Sequence, residues 1–148
     1  MIKGKTIFDY GEQGEVGPAV SAKFKAAHDK IQPGGNQFIP IQILNKDGSP
    51  YEGEFFVFQI DTVLDAINPS LGGFNTDNKG ENVTYYYKSG SDNVQNRLAV
   101  YKDRLVGKAA WCDLRFGANY RFFSDAFSEE LAAVKAEGFD KNYHFHEI

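Results

Sequence analysis

Phe24, Ala27 and Ile31 fall at i, i+3 and i+7, the spacing of one buried helical stripe. Ser21 stands just ahead of that run, with Val20 before it. A serine hydroxyl there can accept an orphan backbone N–H of the first turn, so a helix is expected from Ser21 to about Ile31. Gln32-Pro33-Gly34-Gly35 stops it. From Gln37 to Leu44 the period changes to two. Ile39, Ile41 and Ile43 share one face, with Phe38 and Gln42 on the other. Pro40 cannot donate to a ladder, so this strand belongs at an edge or carries a bulge. The turn formers Asn45-Lys46-Asp47-Gly48-Ser49-Pro50 lead to a returning strand at Glu54–Ile60, making 37–60 a hairpin. Phe55 to Phe58 is apolar on both faces, so each face needs a cover or one is an interface.

Beyond the hairpin the pattern is weaker. Asp61–Asn68 is ambiguous, with one helical turn as an option, and 72–82 reads as an exposed loop. Val83–Lys88 is a tyrosine strand, followed by a polar turn at Ser89–Asn96. Arg97–Tyr101 and Ala109–Leu114 are further strands, and Phe116–Phe123 is a turn running into a short strand. Ser128 is expected to open a second helix to about Glu137, with Gly138 at the terminating position. Lys141–Ile148 closes the chain as a strand. Residues 19–27 echo residues 126–134 at a constant offset of 107, each followed by a glycine and then a strand. Two such units are too few for a solenoid, which wants at least ~3.

The expected fold is therefore α+β: a single domain with an antiparallel or mixed sheet of five to seven strands and two principal helices. Residues 1–18 read as an N-terminal arm or short strand (Thr6–Tyr10), and 19–148 as the domain itself. A length of 148 residues fits one domain. The 13 Phe and 8 Tyr suit a sheet with a large core.

Net charge is −4, which argues against generic nucleic-acid binding. The distribution is uneven. Arg97 to Arg121 holds six Lys or Arg against two Asp, while Tyr51 to Asp65 holds four acids and no base. Tyr101, Trp111, Phe116 and Tyr120 interleave the basic stretch, a pattern that can serve single-stranded nucleic acid. A mixed surface over a buried aromatic row is the commoner meaning. The single cysteine, Cys112, cannot form an internal disulfide. No apolar run approaches the ~20 residues of a membrane span, and the N-terminus lacks a signal-peptide apolar region. A cytoplasmic protein that binds neither membrane nor nucleic acid is expected.

The chemistry-bearing residues form no coherent set. His144 and His146 alternate on the last strand, but zinc would need further ligands, with only His28 and Cys112 in reserve. Metal and cofactor are therefore expected to be absent. Cys112, between Trp111 and Asp113, has neither a helix start nor a glycine elbow and reads as a buried thiol. Asp61 and Asp65, four apart, would share a helix face. Paired carboxylates can do acid–base work, although an acidic helix start is commoner. Gly11, Gly14 and Gly17 open no phosphate-binding unit.

Five segments in order carry a resemblance: Val20-Ser21-x-x-Phe24; Gln37-Phe38-Ile39-Pro40-Ile41; Leu64-Asp65-Ala66-Ile67-x-x-Ser70; Trp111-Cys112-Asp113-Leu114; and Phe127-Ser128-x-x-Leu131. Over residues 19–148 the chain resembles the immunity-protein-eleven family of bacterial polymorphic toxin systems. The resemblance implies a small cytoplasmic protein that binds and neutralises a cognate toxin domain encoded beside it, without catalysis. It supplies no catalytic residues. The partner-binding candidates come from the residues themselves. Tyr85, Tyr87 and Trp111 are aromatic anchors. Asp61 and Asp65 would steer a basic partner. Core packing is the competing reading for Trp111. The alternative function is a small hydrolase or transferase using Asp61 or Asp65 with a histidine.

Overall fold

The computed structural model describes residues 10–11, 17–68, 74–79, 82–87, 99–116, 120–138 and 146–147. In chain order the elements are β1 (Tyr10–Gly11), β2 (Ala19–Ser21), α1 (Ala22–Ile31), β3 (Gln37–Ile41), β4 (Phe55–Gln59), β5 (Val63–Leu64), β6 (Phe74–Lys79), β7 (Asn82–Tyr87), β8 (Ala99–Val100), β9 (Ala110–Asp113), β10 (Phe122–Phe123), α2 (Asp125–Ala133) and β11 (His146–Glu147). The class is α+β, with two α-helices among the described residues.

Among the described residues the strands do not merge into one sheet of five to seven. They form a four-stranded sheet in the order β1-β2-β4-β3, a three-stranded sheet β10-β9-β5, and the pairs β11-β8 and β6-β7. The edges explain where the first sheet stops. The N–H of Phe58 donates to Pro18 O at 2.9 Å, on the β2 side, so the facing Phe38 turns its own backbone groups outward. Pro40, two residues on, then brings its donorless nitrogen to the same outer edge. The proline that marked β3 as an edge strand thus also ends the sheet.

The hairpin formed as expected, β3 and β4 pairing antiparallel from Gln37↔Gln59 to Ile41↔Phe55. Beyond the expected elements, β2 pairs with the other side of β4 and makes it a central strand. That answers the apolar character of β4. Phe56 and Phe58 face the helices, while Phe55 and Val57 are also buried, Phe55 against the Tyr51 ring. The chain reaches β2 through Gly17, where a φ of +106° and the nearness of Phe58 O would strain any other residue.

α1 starts as expected: Ser21 Oγ accepts the Phe24 N–H at 3.3 Å, and Gln32 ends the helix. The second helix starts one turn earlier than expected. Ser124, not Ser128, is the cap, and its Oγ accepts the Phe127 N–H at 3.2 Å. Ser128 lies inside the helix, its N–H donating to Ser124 O. The helix ends at Ala133, with Lys135 at φ 51° before Gly138 at φ 96°. The two echoing segments are therefore not equivalent, because their aligned serines hold different helical positions.

Two further expectations change. Asp61–Asn68 is not a helical turn. Val63 and Leu64 are extended and pair parallel with Cys112 and Asp113, and Ile67 bridges to Val100. Side-chain acceptors elsewhere take the N–H groups a helix would have used. Residues 74–79 are not loop but a strand laddered to β7, a pairing that their polar sequence does not announce. Of the closing strand only His146–Glu147 is described, parallel to Ala99–Val100. The turn at 89–96 lies outside the described residues, as does the arm before Tyr10.

Two apolar clusters hold the domain. One joins α1, α2 and β4 through Val20, Phe24, Ala27, Phe58, Phe127 and Leu131. The Phe24 ring meets Phe58, Phe123 and Phe127 edge-on at 5.3, 6.0 and 5.1 Å, a geometry that adds to burial. The other cluster gathers Ala66, Ile67, Val100, Leu105, Trp111, Phe116 and Phe122 on the far side of β9.

Candidate functional site

β9 divides the two clusters, and the expected site residues meet around it unequally. Trp111 faces the second cluster. It is 0% exposed and its ring stacks on Phe122, centroids 5.6 Å apart and planes at 24°. Phe116 is buried with it and Tyr120 is half-buried against them, so the aromatic row of the basic stretch turns inward. The core reading of Trp111 is the one its position supports. Tyr85 and Tyr87 lie on β7, opposite Thr76 and Phe74 of β6.

Asp61 and Asp65 share no helix face; they bracket β5. Asp61 is exposed, and its backbone N–H donates to Asn36 Oδ1 at 3.0 Å. The Asp65 carboxylate is held between the guanidinium groups of Arg104 and Arg115, and Arg104 also donates to the Asp65 carbonyl. Two guanidinium groups there face two carboxylates, Asp65 and the neighbouring Asp113, so the end of β5 is balanced in charge. This differs from the acidic face that the sequence suggested around Asp65, and the cause is the basic stretch folding back onto it.

His28 is fully buried on α1, ringed by Phe38, Phe58 and Phe127 at 5.0, 5.7 and 5.7 Å. Its hydrogen bonds fix its tautomer. Asn36 Oδ1 accepts the backbone N–H groups of Asp61 and Thr62, each at 3.0 Å. The Asn36 amino group therefore faces Ala110 O and His28 Nε2, both at 3.1 Å. An amino group only donates, so Nε2 is the acceptor and the proton sits on Nδ1, 3.3 Å from Asp29 Oδ1. Gln32 adds to the lattice: its amide donates to Thr62 Oγ1 at 2.7 Å and its carbonyl accepts Ala109 N–H at 2.9 Å. His28, Gln32 and Asn36 thus tie the end of α1 to the starts of β5 and β9. The sequence reading missed this lattice, although the fourfold spacing of the three residues was a trace of it.

Burial pushes the His28 imidazole below its ordinary value. The bond to Asp29 and that residue's charge oppose the shift, and the Lys25 charge adds to it. A depressed folded value means that the unfolded chain takes the proton first. The His28 contribution to stability is therefore complete above the unfolded imidazole's value of about 6.5 and is lost as pH falls through the lower folded value. Urea midpoints of the wild type are expected to fall from about pH 7 to about pH 5, and His28→Gln to flatten that slope. Equal slopes in the two proteins would remove His28 as the cause.

The other expected chemistry disperses. Cys112 is buried, and burial raises its thiol value against the opposing charge of Arg121. That suits an inert thiol better than a nucleophile. His146 pairs through its backbone with Ala99, and His144 lies outside the described residues. Among the described residues no group of three or more His, Cys, Asp or Glu could hold a metal ion, and no helix is long and apolar enough to cross a membrane.

Asp113 is a polar residue that the sequence reading passed over. It is fully buried on β9; Oδ2 accepts the N–H groups of Ala66 and Ile67 at 2.9 and 3.1 Å, and Oδ1 accepts that of Arg115 at 3.1 Å. A lone carboxylate inside the run Trp111-Cys112-Asp113-Leu114 was the available signal.

Comparison with known proteins gives one finding of kinship. A family model described as Immunity protein family (Imm11) matches residues 11–143. No curated protein and no solved structure matches the chain.

Proposed function

The chain belongs to the immunity protein family Imm11, and from that premise we propose that it is a non-enzymatic protein that binds and neutralises a cognate toxin domain encoded beside it. The observation that carries the reading is the family match across most of the chain. The described residues agree with it. His28 is sealed by three phenylalanine rings, Asp65 is held by two arginines, and the Cys112 thiol is buried. A hydrolase or transferase would need Asp61 or Asp65 with an imidazole open to a substrate, and among the described side chains the one imidazole, that of His28, is buried.

Neutralisation by binding needs surface rather than a reaction centre. A standard complex hides ~1,600 Å² in total, and a few anchors dominate its energy. Tyr85 and Tyr87 remain proposed aromatic anchors on β7, and Asp61, exposed, a proposed steering charge. The proposed site of action is the cytoplasm.

The test is co-expression. The C-terminal domain of the neighbouring gene's product is induced in a bacterial host with and without this protein. Survival only in its presence, with a one-to-one complex on gel filtration, is the expected result. Equal killing in both cultures and no complex would overturn the proposal.

A further inference from the structure

The chain crosses from the four-stranded sheet to the three-stranded one through Ile60, Asp61 and Thr62, between the end of β4 and the start of β5. A side chain from outside both strands holds that crossing. Asn36 Oδ1 accepts the N–H groups of Asp61 and Thr62, each at 3.0 Å. The amino group of the same side chain donates to Ala110 O of β9 and to His28 Nε2 of α1, both at 3.1 Å. Asn36 therefore joins the helix, β9 and the crossing, with both acceptor sites and both donors of its amide in use. Its backbone sits at φ 58°, in the left-handed region, so a fixed local conformation aims the side chain.

An amide filled in this way has one workable orientation, and His28 decides it. While Nε2 carries no proton it accepts from Asn36. Once Nε2 takes a proton, it is a donor facing the Asn36 amino group, which is also a donor. Turning the amide over would give Nε2–H an acceptor. It would also set the amino group against the N–H groups of Asp61 and Thr62, and bring Asn36 Oδ1 against Ala110 O. Neither orientation satisfies the set, and buried polar groups left without partners are costly.

The surroundings keep the ring neutral near pH 7. Around it, β3, β4 and α2 present the rings of Phe38, Phe58 and Phe127, and β9 presents the Ala110 carbonyl through Asn36. Charge comes from its own helix. Asp29 Oδ1, 3.3 Å from Nδ1, favours the imidazolium, and Lys25, bound to the other oxygen of Asp29, opposes it. Glu130 of α2 is engaged by Lys30 at 2.6 Å. Burial outweighs these charges and holds the imidazole below its ordinary value.

From this cluster we propose that His28 and Asn36 form an acid-sensitive latch: a proton on Nε2 turns Asn36 away from Asp61 and Thr62 and frees the crossing between the two sheets. Thr62 keeps two other anchors, its Oγ1 accepting from Gln32 Nε2 at 2.7 Å and its O from the Cys112 N–H at 2.9 Å. Opening thus loosens the joint without detaching β5 from β9. The latch is a property of the fold and stands independently of the immunity reading.

The test is amide exchange of the full chain, read as protection factors so that the intrinsic pH dependence of exchange cancels, with the His28 ring nitrogens followed by NMR. Between about pH 7.5 and about pH 5, on either side of the ordinary imidazole value, protection at Asp61 and Thr62 is expected to fall by ~10-fold, the effect of losing one hydrogen bond. The midpoint should coincide with the gain of a proton at His28 Nε2. Protection at Ala27 and Phe58, both in the core, should hold. Asn36→Gly keeps the positive φ and removes the amide, so protection at Asp61 and Thr62 should be low at both pH values, without an acid step. A ring protonated on Nε2 in neutral solution, a Thr62 amide that stays protected while Nε2 titrates, or an acid step that survives in Asn36→Gly each overturns the latch. Loss at Thr62 in step with Ala27 and Phe58 also overturns it, because the whole domain is then unfolding.

Discussion

Trp111→Ala is expected to lower folding stability by about 3–5 kcal/mol, the range for truncating a large buried aromatic side chain. The indole is 0% exposed and stacked on Phe122, among Ile67, Val100, Leu105 and Phe116. Removing it opens a cavity that several short elements would have to collapse into. None of them can move freely: β9 is laddered on both sides, and Ile67 is fixed to Val100 by a bridge. A domain of this size has only about 5–15 kcal/mol in total, so the variant should lose much of its margin. Urea denaturation measures the loss. Because the ring has no surface, the folded fraction of the variant should still bind the toxin domain as tightly as the wild type. Unchanged stability with lost binding would return Trp111 to the interface.

The competing readings of Trp111 show what the sequence could convey. Alternation in residues 109–114 announces a strand but does not say which face is covered, since both faces are apolar up to Asp113. The first helix and the hairpin were legible because their periods are clean and their boundaries carry strong turn and capping residues. The second helix was misplaced by one turn because Ser124 and Ser128 both precede helix-forming residues. The choice between them depends on which register buries Phe127 and Leu131 against α1. Residues 74–79 were illegible as a strand because Asn75, Thr76, Asp77, Asn78 and Lys79 carry no apolar alternation; only pairing with β7 makes them one.

The site was less legible than the fold, for a related reason. Charge along the chain suggested an acidic face near Asp65, yet the net field there depends on two arginines far away in sequence. The lattice of His28, Gln32 and Asn36 ties together segments that sequence distance keeps apart. Asn36, at φ 58°, takes the left-handed conformation that asparagine tolerates better than most residues, so its position after two glycines was a local hint. The field has no period along the chain, and the fourfold spacing of His28, Gln32 and Asn36 does not say which distant segments they join.

Asp113→Ala is expected to cost about 3–5 kcal/mol, because each buried donor left without an acceptor costs about 1–3 kcal/mol. Three backbone N–H groups depend on this one carboxylate, those of Ala66 and Ile67 on Oδ2 and that of Arg115 on Oδ1. Asp113→Asn separates charge and acceptor count from shape. Its single carbonyl oxygen can serve one side of the clamp, and its amino group then confronts a donor on the other. The loss should be smaller than for alanine, about 2 kcal/mol. The consequence should also be felt locally. Asp113 holds Ala66 and Ile67 against β9, and through them it sets where Asp65 meets Arg104 and Arg115 and where Val63 lies relative to Leu114. In the asparagine variant, hydrogen exchange should quicken at Ala66 and Ile67 even when the protein is fully folded. Urea melts and exchange rates read the two effects separately. If both variants melt with the wild type, the carboxylate is not the clamp that aligns β5 with β9.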